Sequence, residues 1–201
     1  MDMRLTALSV LTAIGALSGF VSAAQADVKV LVKTQTYDVA GATGEALIRS
    51  MDRNGPRHSF MARAIAQTSY TKDWDFDFAK SKGACRIAKA NGTLNLSFTY
   101  PRVTSVLPAP LDRRWARFFE GVRKHEETHG EIARQMMTAT EKALTGLTVP
   151  NDPQCSQTRR EARRRIDAVF DEYEAKQNAF DAREHREGGH VEYLVDALAK
   201  S

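Results

Sequence analysis

Cysteine is nearly missing from this chain: 201 residues carry only two, Cys85 and Cys155. Neither stands in a C-x-x-C pair, so a thiolate metal site finds no support. An even pair in an exported chain reads instead as one disulfide, tying the segments on either side of the central helix, with free thiols as the alternative. Long apolar runs are also missing beyond residue 26, so nothing there reads as a membrane span. Charge of one sign is not in large excess. A net charge of +4 is mild, and does not by itself argue for nucleic acid. The basic block Arg159, Arg160, Arg163, Arg164 and Arg165 has no interleaved aromatics and is followed closely by acids at 167, 171, 172 and 174. It reads as a solvated helix face, and no nucleic-acid partner is expected.

Residues 1–26 read as a secretory signal peptide. Arg4 supplies a short positive start, the stretch 5–21 is largely apolar, and Ala24-Gln25-Ala26 is an A-x-A cleavage site. Thr6, Ser9, Thr12, Gly15, Ser18 and Gly19 interrupt the apolar run and make it marginal as a permanent anchor. No cysteine stands at the cleavage point to take a lipid. The expectation is a single domain over 27–201, periplasmic or secreted, with no stable membrane insertion after cleavage.

The stretch that carries chemistry is Lys124-His125-Glu126-Glu127-Thr128-His129, which reads H-E-x-x-H. On a helix, His125 and His129 lie one turn apart on one face, where two imidazoles can grip one Zn²⁺. Glu126 then sits beside the metal, placed to take a proton from a bound water. Trp115, Phe118, Val122, His125, His129, Ile132 and Met136 step by three or four, so the histidines continue an apolar stripe and point inward. Buried histidines need partners, which a metal supplies to both at once. The competing reading is a pair of core histidines hydrogen-bonded to backbone or carboxylates. Glu127 and Thr128 fall on other faces and read as scaffold.

Around this helix the pattern predicts an α+β fold, a small antiparallel sheet followed by two long helices. Residues 28–39 are β-branched and partly alternating, hence strand-like. Thr43 caps a short helix to about Met51, which Asn54-Gly55-Pro56 stops. Strands are predicted over 64–70, 74–78, 84–88 and 93–100. Trp74, Phe76 and Phe78 share one face, with Asp75 and Asp77 on a solvated one, and Asn91-Gly92 is expected to turn a hairpin. Asp112 is expected to cap the central helix, which runs to about Leu144 before Gly146. The second long helix carries the stripe Ala162, Ile166, Val169, Phe170, Tyr173, Gln177 and Phe180.

A zinc enzyme needs a third protein ligand and an open fourth position. A third histidine six residues after His129 is absent, since Gln135 stands there. The segment 180–190 is instead dense in ligand types: Asp181, Glu184, His185 and His190. Tyr173 and Tyr193 are candidates for a second electrophile.

The order of features resembles an uncharacterised bacterial family of predicted secreted Zn-dependent proteases. The matching features are a signal peptide, Tyr37-Asp38-Val39-Ala40-Gly41, a β region with an aromatic alternation and a cysteine, a Trp-led helix with H-E-x-x-H, and a late aromatic-Asp-x-x-x-His segment. The resemblance implies a zincin-like fold and His185 as third ligand beside His125 and His129, with His190, Asp181 and Glu184 as the other choices. It implies an exported zinc metallopeptidase acting on peptide or protein substrates, with Glu126 as general base. The alternatives are a zinc-dependent hydrolase of cell-wall peptide or amide bonds and a non-enzymatic zinc-binding module of the envelope.

Overall fold

A computed structural model describes residues 25–58 and 62–200. The stretch 1–26, expected to be a signal peptide, lies outside the described residues except for Gln25 and Ala26, which open the first strand. In chain order the elements are β1 (Gln25–Val39), α1 (Gly44–Asn54), β2 (Arg57–His58), β3 (Ala62–Arg63), β4 (Gln67–Ser81), β5 (Ala84–Val103), α2 (Ala109–Leu144), β6 (Thr148–Val149), α3 (Ser156–Glu184) and α4 (His190–Ala199). The class is α+β, with four helices among the described residues. A third and a fourth helix, α1 and α4, flank the two long ones.

The sheet is mixed, which corrects the antiparallel expectation. Its order is β1-β5-β4, with β6 on the end of β5. β4 and β5 are antiparallel neighbours, whereas β1 runs parallel to β5, from Gln25 opposite Lys89 to Val39 opposite Val103. Parallel pairing needs a crossover, and α1 lies between the two strands in sequence.

The expected hairpin at Asn91-Gly92 does not form. The chain reverses at Lys82-Gly83, both with positive φ (50° and 79°), as a two-residue hairpin turn requires. β5 runs straight through Gly92 because its neighbours on both sides are other strands. Glycine is needed there for space. A Cβ at 92 would lie 2.9 Å from Met137 on α2 and 2.9 Å from the Trp74 ring. The expected strands 64–70 and 74–78 merge into β4, with Trp74, Phe76 and Phe78 half-buried and Asp75 and Asp77 exposed. A bulge between Asp77 and Phe78 leaves Ala88 unpaired. It switches the buried set on β5 from Cys85 and Ile87 to Ala90, Leu94, Leu96 and Phe98, since one extra residue turns a strand over.

The helices cover one face of this sheet. Thr43 caps α1, its hydroxyl accepting from the Ala46 amide at 3.2 Å. α2 starts earlier than expected: Pro108 occupies the cap position and Asp112 falls within the first turn, where its charge favours the helix N-terminus. The buried side of α2 carries Phe118, Val122, Ala133, Met136, Met137 and Leu144, and meets Leu94, Leu96 and Phe98 of β5. α3 buries Ala162 and Phe180 and half-buries Ile166, Val169, Phe170, Tyr173 and Gln177, the stripe read from its sequence. Arg164 lies on its solvent side, whereas Arg165 is half-buried and donates to the Ala143 carbonyl of α2 at 2.7 Å; both pair with Glu161, at 2.8 and 2.9 Å. A disulfide joins Cys85 at the start of β5 to Cys155 at the start of α3. Among the described residues no helix is long and apolar enough to cross a membrane.

Candidate functional site

α2 delivers His125, Glu126 and His129 to one buried face, exposed by 7, 6 and 9 %. Gly130, the next residue, lets that helix lie close on the sheet, for a Cβ there would meet Phe98 at 2.8 Å. The last turn of α3 arrives from the opposite side with Phe180, Asp181, Glu184 and His185. The Phe180 ring packs on both histidines, with centroid separations of 4.9 and 5.0 Å, and fixes how deep they sit.

The polar atoms converge. His125 Nε2 and His129 Nε2 are 3.2 Å apart. Asp181 Oδ1 lies 2.9 Å from His129 Nε2 and 3.4 Å from His125 Nε2. His185 Nε2 is 3.8 Å from the same oxygen. Ligand atoms of His125, Asp181 and His185 all fall within 4.8 Å of one another. His185, the third ligand implied by resemblance, is therefore in the cluster, and Asp181 stands closer to both α2 histidines. Glu184 contributes a carboxylate oxygen 4.0 Å from His125 Nδ1, on the side away from the cluster. His190 is exposed at the start of α4.

Hydrogen bonding decides which nitrogens are available. Gln177 of α3 donates its amide to the His129 carbonyl at 3.1 Å, so its oxygen faces His129 Nδ1, 2.5 Å away. Nδ1 is then the protonated nitrogen and Nε2 presents its lone pair to Asp181 and His125. Acceptors facing one another at such distances need a positive charge between them. A proton satisfies one pair of atoms, whereas a divalent cation satisfies three. The fit is geometric as well. Four-coordinate zinc with nitrogen and oxygen ligands has ligand–ligand edges of ~3.3 Å, and the separations among His125, His129 and Asp181 bracket that value. His125 Nδ1 is buried with no hydrogen-bond partner, and Glu184 is the carboxylate nearest it.

The electrostatics follow. Burial opposes ionisation of Asp181, but in the metal-free site hydrogen bonds from His125 and His129, made when their Nε2 atoms carry a proton, outweigh it and hold the carboxyl well below its ordinary range. Burial also works against a charged His129, yet Asp181 and Gln177 bring its pKa above the ordinary value. His185 is pushed down, by burial first and by His125 second.

Glu126 lies beside this cluster with its own partner. Thr68 of β4 sits 2.7 Å from Glu126 Oε2 and 2.9 Å from its backbone carbonyl, and its single hydroxyl proton goes to the carboxylate when that is ionised. Glu127 pairs with Arg123 and Thr128 caps the Lys124 carbonyl, both away from the site. Cluster and glutamate open into a cleft of about 770 Å³ walled by residues 63–68, α2, the end of α3 and one side of α4. Of the tyrosines, Tyr70 lines this cleft; Tyr173 packs beneath the helices and Tyr193 is on the surface.

Two participants carried little signal in the sequence. Gln177 was visible as the polar member of an apolar stripe. Thr68 had no local mark, since its partner is 58 positions away.

No curated protein and no solved structure matches the chain. A family model does match, over residues 34–190, which include every residue of the cluster. The chain belongs to the family described as "Bacterial protein of unknown function (DUF922)".

Proposed function

We propose that this chain is an exported, zinc-dependent, zincin-like hydrolase of peptide bonds, with His125, His129 and Asp181 as metal ligands and Glu126 as general base. The observation that carries the reading is the convergence of two imidazole nitrogens and a carboxylate oxygen at tetrahedral-edge distances beside a glutamate, at the floor of an open cleft. When bound, zinc supplies a Lewis acid that brings a water within reach of deprotonation at neutral pH and polarises a carbonyl. Glu126 accepts the proton of the attacking water and passes it to the leaving amine. Thr68 holds the carboxylate in place for that exchange. His185, exposed and 3.8 Å from Asp181, faces the remaining side of the cluster. The disulfide supports an oxidising compartment.

A second reading has one observation in its favour. Ligand atoms of His185, His125 and Asp181 lie within 4.8 Å of one another, so His185 stands where a further protein ligand would close the site into a structural one with no catalytic role.

The test is metal content and peptide hydrolysis of the purified mature protein. About one zinc per chain is expected, lost in Asp181→Ala and retained in His185→Ala. Glu126→Gln should keep the metal and lower hydrolysis by about 10²- to 10⁴-fold. Undiminished hydrolysis in Glu126→Gln would sink the general-base assignment. Stoichiometric zinc without hydrolysis of any peptide would favour the closed site.

A further inference from the structure

The cleft has two unlike halves. One is the polar floor of His125, Glu126, His129 and Asp181. The other is apolar and comes from three separate parts of the chain: Ile65 and Ala66 ahead of β4, Val122 on α2, and Val191 and Val195 on α4. None of these five side chains carries a hydrogen-bonding group. Asp52, Arg63 and Glu192 also line the cleft but are exposed, which places charge at its mouth.

The apolar half has a defined place relative to the chemistry. Val122 precedes Glu126 by four residues on one helix, a step of about 6 Å along the axis. α4 is seated on α2 at the same level, because Gly121 has no side chain and Leu194 fills the space. Val191 and Val195 are one turn apart on α4 and line the cleft together with Val122. Ala66, Val122 and Val191 are buried, and Val195 is half-buried with side-chain surface left on the cleft. A cleft of about 770 Å³ accommodates a few residues of extended peptide, within the size range of ordinary ligand sites.

We propose that this half of the cleft is an aliphatic side-chain subsite, which makes the substrates peptides with a valine, leucine or isoleucine beside the bond presented to Glu126. The proposal rests on the peptidase reading above and adds a specificity, with the half-buried Val195 as one determinant. Small differences in apolar fit give about 10- to 200-fold discrimination, and a charged side chain would enter a wall that offers it no partner.

Two measurements test it. Cleavage sites of the wild type on a mixed peptide pool are read by mass spectrometry. Binding of two blocked hexapeptides, identical but for a central leucine or aspartate, is measured to the Glu126→Gln protein, which needs no turnover. Aliphatic residues should be enriched at one position flanking the cut, and the leucine peptide should bind at least about 10-fold more tightly. Val195→Asp should erase both preferences. Val195→Thr, which conserves shape, should reduce them with the thermal melt of the folded protein little changed. Cleavage with no aliphatic preference, or a preference untouched by both variants, overturns the subsite and leaves the peptidase reading standing. Absence of any cleavage counts against the peptidase reading alone, and the binding pair then decides the subsite. Equal affinity, or none for either peptide, overturns it.

Discussion

Gln177 shows how much one amide governs at this site. Its nitrogen is committed to the His129 carbonyl, which leaves its oxygen for His129 Nδ1 and fixes the lone pair on Nε2. Gln177→Leu removes both bonds and should weaken zinc binding about 10- to 100-fold, measured by competition with a chromophoric chelator. Gln177→Glu keeps an acceptor for Nδ1 and should retain most of the affinity. Nitrogen-15 NMR of the metal-free protein offers a second check: His129 should be a single Nδ1–H tautomer in the wild type when neutral and a mixture in Gln177→Leu. At this scale the sequence was informative where chemistry repeats at helical spacing. His125, Glu126 and His129 are legible because four residues make one turn. Asp181 and His185 are legible as a dense cluster of ligand types, but not in rank, because their rank depends on how the end of α3 meets α2. Thr68 is not legible at all, since nothing near it in sequence announces a partner in a helix.

Among the elements, α3 is held at its start by a carboxylate. Asp152, almost fully buried, accepts the Thr158 amide at 2.8 Å and the Thr158 hydroxyl at 2.7 Å. Burial works against its ionisation, yet the Thr158 and neighbouring helix amides overcome this and bring the carboxyl down to about 2. A folded pKa below the unfolded one, ~3.9, means that the stability it contributes is present above pH ~4 and lost as the pH falls toward 2. Asp152→Asn should flatten this acid limb of a plot of urea midpoint against pH while lowering the midpoint at pH 7. The elements also show where pattern reading ends. The alternation of Trp74, Phe76 and Phe78 survives intact in β4, because period two is a property of any strand. Asn91-Gly92 misleads because the same dipeptide serves a tight turn or a close approach. The choice was made by Met137 and Trp74, which crowd Gly92 from α2 and from the neighbouring strand. The merging of two expected strands into β4 has a similar cause: an unbroken β5 offers a partner along its whole length.

The whole molecule is tied by one covalent link between its halves. Cys85 and Cys155 are 70 positions apart, and closing a loop of that length stabilises by about 4 kcal/mol in the chain-entropy account. Reduction, or the Cys85→Ser/Cys155→Ser double variant, should lower the unfolding free energy by about 2–4 kcal/mol in urea titration. The link is at the first turn of α3, and the metal cluster is at its last, about 40 Å along a helix of 29 residues. Zinc affinity of the folded reduced protein should accordingly change by less than about threefold, a difference under 1 kcal/mol. The overall class was legible because strands and helices sort into separate stretches of the chain. The mixed character of the sheet was not, for parallel and antiparallel partners present the same alternation and differ only in which distant strand is chosen.

That choice of partner has a consequence in time. The β4–β5 hairpin closes across a two-residue turn, whereas each β1 residue must find a partner 64 positions later, as Val28 finds Gly92. Local pairs form early and distant ones late, because loop closure must be met before the contact rewards it. A chain emerging amino end first therefore releases β1 well before the strand it will join. Val30, Leu31 and Val32, still partly exposed in the finished fold, wait in that interval as a bare apolar strip.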